Sequence, residues 1–236
     1  MKSALWAATI LLVTTGIIAA AGRAMFPRDF GQRMEPIRTN VMRSLHRVEP
    51  DPVRRQQLAT GFESSYVVHP VVITMHVVFG GIFLALIPLQ FSRYRRFHRW
   101  TGRLLLVCGA IVAITAFYFG LLMPFGGVIE AMAIAVFGGI FSISLILAYR
   151  AIRRGEVALH RQWMIRACAI ALGIATIRII SGILDIALAP SGYDVRQIFL
   201  MSIWSGWPLM LVAAEMWIRA TTPLPRSGIA PASHPA

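Results

Sequence analysis

Six long apolar runs decide what this chain can fold into: Ala4–Ala21, Val71–Phe91, Leu104–Met123, Val128–Tyr149, Trp163–Leu188 and Ile198–Ile218. An α-helix rises about 1.5 Å per residue, so each run approaches or exceeds the ~20 residues that cross a hydrocarbon core roughly 30 Å thick. Lipid offers a peptide group no hydrogen-bonding partner, and a helix supplies its own. The runs therefore predict helices rather than strands, and an all-α integral membrane protein built as a six-helix transmembrane bundle. Composition agrees: of 236 residues, 57% are hydrophobic and 14% charged, where a soluble domain carries about a quarter.

A net charge of +13 would suit a nucleic-acid binder, but its placement argues for topology. Arg93, Arg95, Arg96, Arg99 and Arg103 crowd one turn, and Arg150, Arg153, Arg154, Arg161 and Arg166 another. The connections Pro124–Gly127 and Ala189–Val195 hold no basic residue. The positive-inside rule then puts both arginine turns and both termini in the cytoplasm, beneath an inner membrane. Anionic lipids of the bilayer are the expected partners of these arginines. No nucleic-acid partner is expected, since no reading motif accompanies the charge.

The chain divides into an N-terminal transmembrane helix (1–22), an extracytoplasmic loop (23–69), a five-helix transmembrane domain (70–218) and a disordered, Pro- and Ala-rich cytoplasmic tail (219–236). The first run has the basic start and the Ala19–Ala21 end of a signal peptide. Its apolar core is longer than the roughly 7–15 residues of such signals, which favours a retained helix that acts as a signal anchor. In the loop, Ile37, Val41 and Leu45 recur every fourth residue, the pattern of a short amphipathic helix on the outer surface or against the bundle.

Within the five-helix domain a short phrase recurs. VFGGIF stands at Val78–Phe83 and again at Val136–Phe141, and each copy leads through arginines to an HR pair, His98-Arg99 and His160-Arg161. The pattern predicts an internally duplicated helical hairpin, with helices two and three matching four and five. The Gly80-Gly81 and Gly138-Gly139 pairs fit close helix packing.

Polar groups inside hydrocarbon are costly and point to function or to internal pairing. From the helical rise, His76 and Arg178 each lie about 8 Å from the outer boundary. Tyr118 reaches a similar depth, and Glu130 and Asp185 sit nearer the surface. These five can form an outer polar layer. In it Arg178 either pairs with Asp185 or Glu130 to fix packing, or clamps a small anion with His76 as a titrating group. At the inner boundary, His98 and His160 each open a helix and each precedes an arginine. One reading gives these helix starts to a lipid phosphate. The other makes the two imidazoles axial ligands of a single haem b, with Arg99, Arg103 and Arg161 at its propionates.

The phrases HVVFGG, PLQF and HRWTGR, followed by HRQWMIR and IRII, resemble a bacterial family of predicted multi-pass membrane proteins, the domain of unknown function DUF2306. The resemblance covers about Val71 to Trp217 and rests on His76, Pro88, Gln90, Phe91, His98, Arg99, Gly102, Arg103, His160, Arg161 and Arg178. It implies no established activity, but it adds Gln90 to the ligand-binding candidates. More distantly, histidines on a helical bundle are similar to the two-haem cytochromes of the b561 type. This chain departs from them because its outer layer has no second facing histidine.

Several chemistries are absent from the sequence. Cys108 and Cys168 are isolated in apolar runs and form no metal motif, and no phosphate loop, dinucleotide fingerprint, nucleophile elbow or zincin motif occurs. Glu215 beside Arg219 reads as a boundary pair, and Pro208 as a kink in the last helix. Three expectations remain. The first is membrane electron transfer or association with a quinone or redox partner, through one haem b. The second is binding or transport of a small anionic molecule or lipid. The third is an accessory membrane subunit whose polar groups serve assembly.

Overall fold

The computed structural model describes residues 2–26, 30–44, 69–91, 95–188 and 191–222. Leu45, Arg93, the rest of the loop to residue 68 and the tail from residue 223 lie outside the described residues. The elements are α1 (Lys2–Met25), α2 (Phe30–Ser44), α3 (Pro70–Phe91), α4 (Arg95–Leu122), α5 (Val128–Ala133), α6 (Gly139–Arg153), α7 (Val157–Leu188) and α8 (Val195–Thr221). A π-helical turn, Ile134–Gly138, joins α5 to α6 into one span. Six helices are long and apolar enough to cross a membrane, as the apolar runs predict. The described residues contain no strand.

The helices outrun the apolar runs at one end. α4 begins at Arg95 rather than Leu104, and α7 at Val157 rather than Trp163. Each added turn is rich in arginine or polar residues, and no proline interrupts it. A hydropathy run marks the hydrocarbon; the helix continues into the interface, where its charged side chains are hydrated.

Spans consecutive in the sequence run antiparallel. α3, α4, α6 and α7 close a four-helix ring, α1 packs outside it on α3 and α7, and α8 packs on α7. α7 is the most buried span, with half of its most apolar stretch inside, against 11% for α1. The local sequence RACAIALGIAT explains this: Ala167, Ala169, Gly173, Ala175 and Thr176 are small and buried, so four neighbours can approach one axis. Lipid competes well for large apolar side chains, which makes small interfaces the effective glue in a bilayer.

The α7–α8 crossing shows how close the approach is. A Cβ on Gly206 would stand 2.6 Å from Ile177 Cγ1 and 3.2 Å from the Ile177 backbone nitrogen. Gly173 leaves room for the Trp207 indole, whose Nε1 donates to the Ile170 carbonyl at 3.1 Å. Two helical turns further, Arg166 grips Glu215 by two parallel bonds, Nε to Oε1 at 2.5 Å and Nη2 to Oε2 at 3.1 Å. The expected partner of Glu215 was Arg219, on its own helix. The antiparallel register instead presents the Arg166 fork, which matches a carboxylate along both oxygens.

The two VFGGIF copies differ in local geometry. The first lies in regular α-helix, and the second begins inside the π turn. Both meet α4: a Cβ on Gly80 would come 3.9 Å from Val112, and one on Gly138 3.2 Å from Phe117. α2 holds the predicted Ile37 and Val41, both exposed, and its Arg33 lies 4.1 Å from the ring centre of Phe26, just past the end of α1.

Two stability results are expected from this packing. Gly206→Leu forces the α7–α8 crossing apart at a cost of about 1–3 kcal/mol, and lowers the thermal midpoint in detergent. Gly182→Ala, whose Cβ would meet nothing within 4 Å, raises it, since alanine is favoured over glycine in a helix by roughly 0.5–1 kcal/mol. In the same assay Glu215→Ala lowers the midpoint more than Arg219→Ala; equal effects would mean that the interhelical pair does not hold the crossing.

Candidate functional site

One end of the bundle gathers the starts of α1, α4 and α7 and the ends of α3, α6 and α8. It carries Arg99, Arg103, Arg150, Arg153, Arg154, Arg161 and Arg166. A cleft of about 240 Å³ opens there between α1, α3, α7 and α8. Trp6 and Thr9 of α1 form one wall, Ile87 and Phe91 of α3 another. α7 contributes a stripe of Arg161, Ile165, Cys168, Ala169 and Leu172, and α8 closes the cleft with Met210, Ala213, Ala214 and Trp217. The stripe recurs at intervals of three and four residues, which is one face of a helix. Its single charged member is Arg161.

The guanidinium is held in place. Arg161 Nη2 donates to Thr221 Oγ1 at 2.8 Å, and that hydroxyl donates to the Trp217 carbonyl at 2.7 Å. The α7–α8 register set by Arg166 and Glu215 brings Thr221 to this position. The two arginines differ in their charge balance. Arg166 is matched by Glu215 and lies 4.5 Å from the ring centre of Trp163. Arg161 pairs with a neutral hydroxyl, and among the described residues no carboxylate faces it.

His98 and His160 each occupy the fourth position of their helices, α4 and α7. Their surroundings differ. His98 is exposed, while His160 is partly buried with Nδ1 at 2.9 Å from the Ala148 carbonyl of α6. A carbonyl only accepts, so Nδ1 carries the proton in this contact. α4 and α7 stand across the four-helix ring from one another, and neither imidazole lines the cleft. Gln90 ties α3 to α4: its Nε2 donates to Thr101 Oγ1 at 2.5 Å and to the His98 carbonyl at 3.3 Å. Arg99 and Arg103 are exposed, and Arg103 lies 5.3 Å from the ring centre of Trp100.

The five residues expected in one outer layer lie on α3, α4, α5 and α7. His76 and Tyr118 share the α3–α4 seam. His76 Nδ1 lies 3.2 Å from the Val112 carbonyl and 3.1 Å from Thr115 Oγ1, with its ring edge-on to Phe119 at 4.9 Å. The Thr115 hydroxyl donates to the Ile111 carbonyl at 2.7 Å, so the imidazole is again fixed with its proton on Nδ1. The Tyr118 hydroxyl meets His69 Nδ1 at 3.4 Å. Glu130 is buried at the start of α5 and accepts from the Gly126 amide at 2.6 Å. The Arg196 guanidinium covers the backbone of Gly127, the left-handed residue of the same turn (φ 69°), where a Cβ would collide with it. Arg178 is exposed on α7, and Asp185 on the same helix is buried.

Three contributors escaped the sequence reading. Thr221 and Arg196 sit at helix ends and matter only through a neighbour on another helix. Cys168 reads as a packing residue until the α7 stripe is seen to border a cleft. The one available signal was the Arg166–Glu215 pair, whose register carries Arg161 to Thr221.

No curated protein matches this chain, and no solved structure matches it. A family model described as Predicted membrane protein (DUF2306) matches residues 73–218, which takes in α4 to α7 and almost all of α3 and α8 but leaves out α1. With most of its length inside that match, the chain belongs to the DUF2306 family of membrane proteins.

Proposed function

We propose that this protein binds an amphipathic molecule within the membrane, at the cleft headed by Arg161. One observation carries the reading: a mostly apolar cleft holds a positioned guanidinium, without a carboxylate partner among the described residues, at one end of its α7 stripe. Apolar walls favour a hydrocarbon body, and a planar donor fork favours a carboxylate or phosphate head. In this reading the arginine-bearing end faces the cytoplasm of an inner membrane, so the head sits at the inner leaflet, among the anionic lipids that the exposed arginines attract. Binding is the primary activity; carriage between leaflets, or presentation of a quinone-like lipid to a redox partner, would build on it.

The test is co-purification. Lipids retained by detergent-solubilised protein are extracted and quantified by mass spectrometry. Arg161→Gln is expected to lower retention about tenfold, in line with the roughly 1.5–3 kcal/mol of a hydrogen bond to a charged group. Leu172→Trp fills the deep end and should lower it as well, while Arg154→Gln, exposed and away from the cleft, should leave it unchanged. Equal retention in wild type and both cleft variants would refute the assignment.

A second reading, a single b-type haem on His98 and His160, has one observation in its favour. A ligating imidazole usually donates its other N–H to a carbonyl, and His160 Nδ1 is placed to do so at Ala148. The haem would supply one-electron chemistry, and Arg99, Arg103 and Arg161 would be the cations available to its propionates. Under this reading the purified protein shows a Soret band that His160→Ala abolishes. A colourless preparation after growth with a haem precursor would rule it out.

A further inference from the structure

Resting on the amphiphile reading, the geometry points to a narrower ligand class: a single-chain amphiphile with one anionic head, either a carboxylate or a phosphate monoester. The length comes from α7. Arg161 and Leu172 bound the stripe, and eleven residues of helical rise separate them by about 16 Å, the length of roughly a dozen extended methylenes. The width comes from the volume. About 240 Å³ lies below the ~300 Å³ at which pockets for drug-sized ligands begin. One hydrocarbon chain of that length fits this space; the second chain and glycerol of a bilayer phospholipid would have to lie outside it.

The head follows from charge. Arg161 is anchored by Thr221 on one side, which leaves the remaining donors of the fork for a ligand. Two coplanar oxygens suit that fork, as in a carboxylate or a phosphate. A neutral ester or alcohol would leave the positive charge of Arg161 without a counter-ion at the membrane boundary. Phe91 and Trp217 line the cleft near its mouth, where aromatic rings tolerate an apolar body beside a polar head. The outer wall is α1, the least buried span and one that lies outside the family match. The tail therefore enters sideways from the bilayer, past this wall.

Photolabelling of the full-length protein in phosphatidylcholine nanodiscs tests the assignment. The probe is a dodecanoate carrying a mid-chain diazirine, and labelled peptides are located by mass spectrometry. Adducts are expected on α7 between Ile165 and Leu172. Unlabelled dodecanoate and dodecyl phosphate should compete, and their ratio reports which head is preferred. Methyl dodecanoate should compete at least tenfold less well. Arg161→Gln should cut labelling at least tenfold, and Arg161→Lys, which keeps the charge but not the fork, should cut it less. Leu172→Phe shortens the cleft while leaving Arg161 in place, and should shift the preferred competitor to a shorter chain. That variant keeps the test informative if Arg161→Gln fails to fold.

The possible failures separate. If the methyl ester competes as well as the acid, the anionic head is wrong and amphiphile binding stands. If a diazirine-bearing two-chain phosphatidylglycerol labels the same residues as efficiently, the single-chain class is wrong. If neither probe labels the α7 stripe, both this inference and the binding reading fall.

Discussion

The close crossing of α7 and α8 is the contact on which the rest depends. Gly206 admits Ile177, Gly173 admits Trp207, and the indole bonds the Ile170 carbonyl. Together they fix rotation and register between two long helices. The Arg166–Glu215 pair locks that register one step further along. From there the position of Arg161 beside Thr221 follows without adjustment. Ile165, Ala169, Ala214 and Ile218 pack between the same two helices.

The bundle treats its polar groups in two ways. His76, His160, Glu130 and Trp207 each answer to a nearby backbone group on their own turn or a packed helix. A peptide carbonyl or amide is the cheapest partner inside hydrocarbon, because it is already there and adds no charge. Such contacts hold the fold and ask nothing of a ligand. Arg161 is handled differently. A neutral hydroxyl positions it, and its charge is left to be balanced at the boundary. Among the polar groups near the cleft it is the one that, in the proposed reading, an anion completes.

Much of the architecture was legible in the apolar runs, because only a membrane rewards six stretches of that length. The runs missed the ends of α4 and α7, which report hydration of arginine rather than loss of helix. Helices apolar all round also have no preferred face for a sequence to reveal. α3 is of this kind, so its neighbours could not be read from PVVITMHVVFGGIF alone. The HR pairs were visible as sequence, yet what distinguishes them is tertiary: His98 is exposed on α4, whereas His160 reaches the Ala148 carbonyl and Arg161 the Thr221 hydroxyl. Depth places residues on one plane, but only helix rotation decides which of them meet, and Glu130 turned to its own loop instead of to α7.

A cryo-EM reconstruction of the protein in lipid nanodiscs tests the central claim most directly. An elongated density is expected along α7 from the Arg161 guanidinium to Leu172, with its head bonded to that guanidinium beside Thr221. A cleft closed by Trp6 packing onto Ile165 and Cys168, with Arg161 turned away to bulk water, would contradict it.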